Sequence, residues 1–137
     1  MGGPPPIPRT EKLNNPNHSN IMETYVDGFV LPLPKDGIEK YKEMATTAAT
    51  VWLDHGALEY RECLLDDATC HDMVGFPALA GAKEGETVVF AYVVYKSRED
   101  RDAVNAKVMA DPRLNCEGCP FDYKRMAYGG FKTIVSA

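Results

Sequence analysis

The sequence lacks long hydrophobic runs and an excess of positive charge. No stretch approaches the roughly 18 consecutive apolar residues of a membrane-spanning helix, so no membrane segment is predicted. The formal net charge is −5, which argues against a nucleic-acid surface because phosphate recognition needs a concentrated positive face. There is no phosphate-cradling glycine loop and no charged-then-apolar secretion signal. We therefore expect a cytoplasmic protein with largely reduced cysteines.

A length of 137 residues with 45% apolar residues is typical of one globular domain with a hydrophobic core. Residues 1–22 begin Met-Gly-Gly-Pro-Pro-Pro and show no periodicity of either kind, which predicts a disordered tail. The alternative is an arm that docks on a partner subunit. The compact domain is expected over residues 23–137.

Two stretches, 24–33 and 85–96, are rich in β-branched and aromatic residues at successive positions. Both therefore predict strands that are apolar on both faces, as central strands of a sheet are. A more charged stretch at 57–65 predicts an edge strand, and a last strand is predicted at 125–135. Pro32 is expected to mark a strand end or a sheet edge.

Two helices are predicted between these strands. Asp36 and Glu39 form a capping-box pattern that opens a helix to about His55, where Gly56 follows. A second capping box at Ser97 opens a helix that runs to about Ala110. The connection at 66–84 is longer than a hairpin needs, which makes it either functional or mobile.

The resulting order β-α-β-β-α-β predicts an α+β protein of the ferredoxin-like type. Its four-stranded antiparallel sheet would have the strand order 4-1-3-2, with two helices on one face. The other sheet face would then expose a large apolar surface. A second subunit packed sheet to sheet would cover it, so we expect a homodimer in the form of a dimeric α+β barrel.

Several sequence blocks resemble one bacterial family, the YbaA-like proteins of unknown function in the dimeric α+β barrel superfamily. The similarity spans about residues 23–135 and rests on Tyr25-Val26-Asp27-Gly28-Phe29-Val30, His55-Gly56-Ala57-Leu58-Glu59-Tyr60-Arg61-Glu62-Cys63, Lys83-Glu84-Gly85-Glu86-Thr87-Val88-Val89-Phe90, Tyr95-Lys96-Ser97-Arg98, Arg101 to Met109, Pro120-Phe121-Asp122, Lys124-Arg125-Met126 and Tyr128-Gly129-Gly130-Phe131. The resemblance implies the fold and the dimer, but no activity. The tail before Met22 and the pair Cys116 and Cys119 depart from the family pattern.

The first candidate site is the barrel cavity, on the assumption that large side chains point into it and small ones lie under the helices. Apolar and aromatic residues with two carboxylates resemble the lining of a ligand pocket, and a desolvated carboxylate there would act as a base. The alternative is a packed dimer core whose polar groups bond to each other or to Arg125. The predicted cavity residues are Tyr25, Asp27, Phe29, Leu31, Tyr60, Glu62, Phe90, Tyr92, Met126 and Tyr128.

Arg125 and His55 complete the candidate ligand-binding residues of the cavity. Two further interpretations concern His55 and the cysteines. His55 is either a general base or a residue that caps the first helix. A tetrahedral zinc site is suggested by the spacing of Cys116 and Cys119, with Cys70 or His71 as a further ligand. The alternatives are a redox pair or loop cysteines without a shared role, and no cofactor is predicted.

These observations leave three functions open. The first is a small-molecule-binding dimer. The second is a non-catalytic structural or accessory dimer with a packed core. The third, by analogy of fold alone, is a cofactor-free enzyme of the monooxygenase or isomerase kind. The volume and lining of the cavity distinguish the first from the second.

Overall fold

The computed structural model describes residues 23–115 and 117–137. The predicted α+β class and the four-stranded antiparallel sheet are confirmed. The elements in chain order are β1 (Tyr25–Pro34), α1 (Ile38–Asp54), β2 (Glu59–Leu64), α2 (Phe76–Ala80), β3 (Glu86–Tyr95), α3 (Arg98–Met109) and β4 (Ala127–Lys132). Short 3₁₀ turns precede α1 and β4, and the tail predicted at 1–22 lies outside the described residues.

The strands are ordered β2-β3-β1-β4 across the sheet. The two strands predicted to be apolar on both faces, β1 and β3, therefore lie in the centre, and β2 lies at an edge as expected. β4 pairs with β1 only as far as Val30. Pro32, which has no N–H to donate, thus lies where β1 has a single neighbour. This position agrees with its expected place at a local edge.

The two long helices begin in different ways. The capping box predicted at Asp36 is wrong, because α1 has Gly37 as its N-cap and no side chain caps it. A 3₁₀ turn over Lys35–Gly37 occupies that segment instead. The cap at Ser97 is confirmed, since its hydroxyl accepts a hydrogen bond from the Asp100 N–H at 3.0 Å. No helix within 23–115 and 117–137 is long and apolar enough to cross a membrane.

The hydrophobic core lies between α1, α3 and one face of the sheet. One cluster contains Val51 of α1, Val104 and Val108 of α3, and Val93 of β3. A second cluster, centred on Leu31, packs against the start of α1. Val89, Ala91 and Val93 lie under the helices, as expected for small side chains of the sheet.

The predicted cavity face is wrong as a set, because strand register divides it between the two sheet faces. Phe29 pairs with Ala91, and Asp27 pairs with Val93, so these two residues point toward the helices. Phe90 pairs with Val30 and points the other way. Large side chains therefore do not all share one face. The helix-facing members of the predicted set are Tyr25, Asp27, Phe29, Leu31, Tyr60, Glu62 and Tyr128, with Met126 packed against the same side, whereas Phe90 and Tyr92 lie on the opposite side.

We call that opposite side the open face; it comprises Val26, Gly28, Val30, Glu59, Arg61, Cys63, Phe90, Tyr92, Val94, Ala127, Gly129 and Phe131. Phe90 is 43% exposed and Phe131 is 60% exposed. The short helix α2, within the connection predicted at 66–84, lies against one end of the open face, where the rings of Phe76 and Phe90 are 6.3 Å apart. No other element within 23–115 and 117–137 packs on the rest of this face.

Candidate functional site

A buried polar cluster centres on Asp27, whose exposed fraction is only 1%. One carboxylate oxygen accepts hydrogen bonds from Arg101 Nη1 at 2.6 Å and from the Tyr128 hydroxyl at 3.0 Å. The other accepts from the Tyr95 hydroxyl at 3.0 Å and from Asn105 Nδ2 at 3.3 Å. The acid thus joins β1 to β3, α3 and β4. We call this group the Asp27 cluster.

The backbone at Gly130 makes room for this cluster. Gly130 faces Asp27 across β1 and β4, and a Cβ atom there would lie 2.6 Å from the Tyr25 hydroxyl and 2.9 Å from Arg101 Nη1. The Arg101 guanidinium lies 4.9 Å from the centre of the Tyr25 ring, a cation–π geometry. A side chain at residue 130 would therefore displace both the arginine and the tyrosine.

The two phenols of the Asp27 cluster keep their protons at neutral pH. Burial and the nearby Asp27 carboxylate raise the pKa of both Tyr95 and Tyr128, so both phenols remain donors at neutral pH. Trp52 Nε1 in turn donates to the Tyr95 hydroxyl at 3.0 Å. Each Asp27 oxygen already accepts two hydrogen bonds, which suits an anchoring carboxylate better than a base that must accept a substrate proton.

Glu62, the second predicted carboxylate, forms a separate cluster with two phenols on the helix-covered face. The Tyr41 hydroxyl donates to Oε1 at 2.7 Å, and the Tyr60 hydroxyl donates to Oε2 at 2.6 Å. Burial and the Glu62 carboxylate raise the pKa of both phenols. The expected grouping of carboxylates with phenols is therefore present, but it lies between sheet and helices.

Arg125, expected to bond to the cavity carboxylates, binds elsewhere. Its guanidinium donates to both Glu86 oxygens, at 2.8 and 2.9 Å, and to the Gly81 carbonyl at 2.7 Å. These hydrogen bonds from Arg125 lower the pKa of Glu86 to about 2. Arg125 thus ties the segment before β4 to the start of β3.

His55 is the C-cap residue of α1, and its Nε2 lies 2.8 Å from Asp111 Oδ2. Arg113 also donates to Asp111 through both its side chain and its backbone N–H, and these bonds hold the pKa of that carboxyl well below its usual range. Arg113 reaches Asp54 as well, at 2.8 Å. This ion-pair group links the end of α1 to the loop after α3, which favours the capping role for His55.

The cysteines do not form a described metal site. Cys63 and Cys70 are free thiols, whereas Cys116 lies outside the described residues. No group of three or more histidine, cysteine or acidic residues within 23–115 and 117–137 is placed to hold a metal ion. Cys70 Sγ instead lies 3.6 Å from the Met73 carbonyl oxygen.

Sequence analysis missed Arg101 and Asn105 as partners of Asp27. Neither residue is among the predicted site residues, yet the Arg101 side chain is only 12% exposed. They are spaced four residues apart on α3, so they project from the same side of that helix. A buried acid in a central strand requires such a cationic partner, and that requirement was the available signal.

Two grooves lie outside the core. The first, which we call the α2 groove, has a volume of about 310 Å³ and lies beside α2 at one end of the open face. Its lining residues are Cys63, Leu64, Leu65, Asp66, Asp67, Phe76, Val88 and Phe90. The second, of about 480 Å³, lies between the start of α3 and the end of β4 and is lined by Glu23, Tyr25, Ser97, Arg98, Glu99, Gly130 and Lys132.

Comparison with known proteins identifies the family. Residues 24–123 match the family described as "Protein of unknown function (DUF1428)". The chain belongs to that family. It is also 45% identical over 113 residues to the "Uncharacterized protein YbaA" of Escherichia coli strain K12, covering 81% of this chain and 97% of the relative. The YbaA protein of Shigella flexneri matches with the same identity and coverage.

The expected resemblance to the YbaA-like proteins is therefore confirmed. The DUF1428 match covers β1, β2, β3 and all three α-helices, and with them Asp27, Arg101 and Asn105. β4, which supplies Tyr128 and Gly130, lies beyond the DUF1428 match. The family description states no activity, so the function has to be argued from the surfaces and clusters of the chain itself.

Proposed function

We propose that this DUF1428 protein is a homodimer of ferredoxin-like subunits, joined through their open faces, that binds a small molecule beside the interface. The observation that carries the proposal is the open face itself. Its centre is apolar and aromatic, and Phe90 and Phe131 are both substantially exposed in the single chain. Contiguous exposed apolar surfaces of this kind mark interaction sites.

The shape and charge of the open face favour a second copy as the occupant. Gly28 and Gly129 are paired across β1 and β4, and the Phe131 ring lies over them, which leaves a low surface that another sheet can approach. Arg61 and Glu59 on β2 bring opposite charges to the same face. A two-fold axis places such a surface against itself, so opposite charges are able to meet across the interface.

The ligand would occupy the α2 groove, which lies at the end of the proposed interface. Its volume of about 310 Å³ is at the lower end of the range found for small-molecule sites. Its lining combines apolar side chains with the polar groups at the end of β2. Binding, rather than catalysis, is proposed because the donors and acceptors of the Asp27 cluster are engaged with one another.

We also propose a cytoplasmic location. The support is the presence of exposed thiols at Cys63 and Cys70, which suit a reducing compartment.

A thermal-shift screen against metabolites tests the ligand-binding part of the proposal. A compound that binds the α2 groove should raise the melting temperature of the natural protein. The shift should be lost in Phe76→Ala, because Phe76 lines the groove. It should persist in Leu79→Ala, which changes an exposed residue of the same helix outside the groove lining. A dimer whose melting temperature responds to no compound would favour the non-catalytic structural function instead.

A further inference from the structure

The walls of the α2 groove are mainly apolar, and two exposed acidic residues lie at its edge. Asp66 and Asp67 are the charged members among its eight lining residues, and none of the eight is basic. We propose that this groove binds a small organic amine, with its apolar body against Phe76 and Phe90 and its cationic group at Asp66 and Asp67. The inference rests on the proposed ligand-binding function and specifies the ligand class.

The apolar part of the groove fits a compact hydrocarbon or aromatic group. The rings of Phe76 and Phe90 are tilted by 57° to each other, and Val88, which is 1% exposed, forms part of the lining. Leu64 is 48% exposed and continues the apolar wall along β2. Aromatic faces also attract cations, so the two rings favour an amine over a carboxylic acid of the same size.

The two acidic side chains of the groove differ in their hydrogen bonding. The Thr69 N–H donates to Asp67 Oδ1 at 2.9 Å, which orients the Asp67 carboxylate. The same backbone hydrogen bond lowers the pKa of Asp67, so its negative charge is present at neutral pH. Asp66 has no hydrogen-bond or ion-pair partner within the part of the chain that the structure describes. An incoming ammonium group would supply one.

The second groove differs from the α2 groove in the charge of its lining. Its lining mixes the basic residues Arg98 and Lys132 with the acidic residues Glu23 and Glu99. A groove of mixed charge has no net preference for a cation. A selective response to amines would therefore point to the α2 groove.

Three probes with the same apolar body test the proposal: 4-phenylbutylamine, 4-phenylbutanol and 4-phenylbutyrate. Isothermal titration of the full chain at low salt should show the amine binding roughly three- to tenfold more tightly than the alcohol, as expected for weak ion pairs at an exposed rim. The carboxylate should bind most weakly. The amine preference should shrink at about 1 M NaCl, where the Debye length falls to about 3 Å.

Paired variants locate the charge effect. Asp66→Asn with Asp67→Asn should reduce amine binding to the level of the alcohol, while an asparagine oxygen still accepts the Thr69 N–H. Asp72→Asn is the matched control, because it removes a charge from the same loop outside the groove lining. It should leave the preference largely unchanged, and asparagine tolerates the positive φ of 58° at that position.

The outcomes separate the inference from the proposed function. Equal binding of all three probes, or an amine preference that survives the double substitution, would overturn the amine assignment but leave a small-molecule site. Failure of every probe to bind at millimolar concentration would overturn the amine assignment. The α2 groove itself would also be rejected if the metabolite screen gave no compound sensitive to Phe76→Ala.

Discussion

Asp27 and Gly130 face each other across β1 and β4, and the missing side chain at Gly130 leaves the space in which Arg101 reaches Asp27. An ion pair with both partners largely buried is costly to break from one side. Without Asp27, Arg101 would keep only the exposed Asp102 as a counter-ion, at 2.9 Å. The Asp27 cluster therefore couples the integrity of β4 to that of α3.

Asp27→Asn tests this coupling directly. The substitution keeps the shape of the side chain but removes its charge, so Arg101 is left without its buried counter-ion. We expect a loss of about 3 kcal/mol in the free energy of unfolding, measured by urea denaturation. Asp36→Asn, at an exposed position, is the control and should change the stability little. If Asp27→Asn leaves stability, assembly and ligand binding unchanged, the Asp27 cluster is neither a structural link nor a functional site.

The neighbouring glycines of β4 provide a matched pair of substitutions. Gly130→Ala places a methyl group 2.6 Å from the Tyr25 hydroxyl and 2.9 Å from Arg101 Nη1, and we expect destabilisation of about 1–3 kcal/mol from this overpacking. Gly129→Ala points to the open face, where the added atom would lie 3.5 Å from the Phe131 ring. Gly129→Ala should therefore lower the free energy of unfolding by less than Gly130→Ala does. Equal effects on thermal unfolding would argue against the role assigned to Gly130.

The central position of β1 and β3 could be predicted from sequence, because both stretches carry apolar residues at successive positions, as central strands do. The face assignment could not, since alternation within one strand does not say which set faces the helices. The register between strands determines which residues face the helices, and Phe29 pairs with Ala91 rather than with Phe90. The partner of Asp27 was also missed, because Arg101 is 74 residues away in the chain.

The short helix α2 escaped periodicity analysis because five residues do not complete two turns. Two local signals would have found it. Pro77 occupies its first turn, and Gly81 closes it in the left-handed conformation with φ of 66°, which is the usual placement of proline and glycine at helix ends. The α2 groove, built partly from Phe76, was unpredicted for the same reason.

The pair of Glu86 and Arg125 predicts a specific pH dependence. Hydrogen bonds from Arg125 lower the pKa of Glu86 in the folded protein from 4.5 to about 2. Because the folded-state value is the lower one, this pair stabilises the fold above pH 4.5, and the stabilisation is lost as the pH falls toward 2. Glu86→Gln should therefore melt at a lower temperature than the natural protein at pH 6.

The difference between Glu86→Gln and the natural protein should narrow as the pH falls from 4.5 toward 2. Glu84→Gln, at an exposed neighbouring position, is the control and should show neither effect. Melting curves for Glu86→Gln that run parallel to those of the natural protein from pH 6 to pH 2.5 would contradict the assignment.

Cys63 reports on the proposed interface through its reactivity. It lies on the open face of the edge strand β2, whereas Cys70 is exposed in the following loop. A dimer formed through the open faces should protect Cys63, so iodoacetamide should alkylate it more slowly than Cys70. Peptide mass spectrometry measures both rates in the same sample.

Phe131→Glu distinguishes protection by a partner from local protection. Phe131 lies on β4, at the opposite edge of the sheet from Cys63, so a direct effect on Cys63 is not expected. If the partner is lost, alkylation of Cys63 should accelerate while that of Cys70 stays constant. Met109→Glu, at a position 69% exposed on α3, is the control for an added surface charge. An unchanged Cys63 rate in a monomeric Phe131→Glu would show that Cys63 is not buried in the interface.

Sedimentation equilibrium at micromolar concentration tests the homodimer most directly. The account predicts a species of twice the 15.1-kDa chain mass for the natural protein and for Met109→Glu. Phe131→Glu should shift the equilibrium toward monomer, because two glutamates would be brought into an apolar interface. A monomer of the natural protein at those concentrations would contradict assembly through the open face.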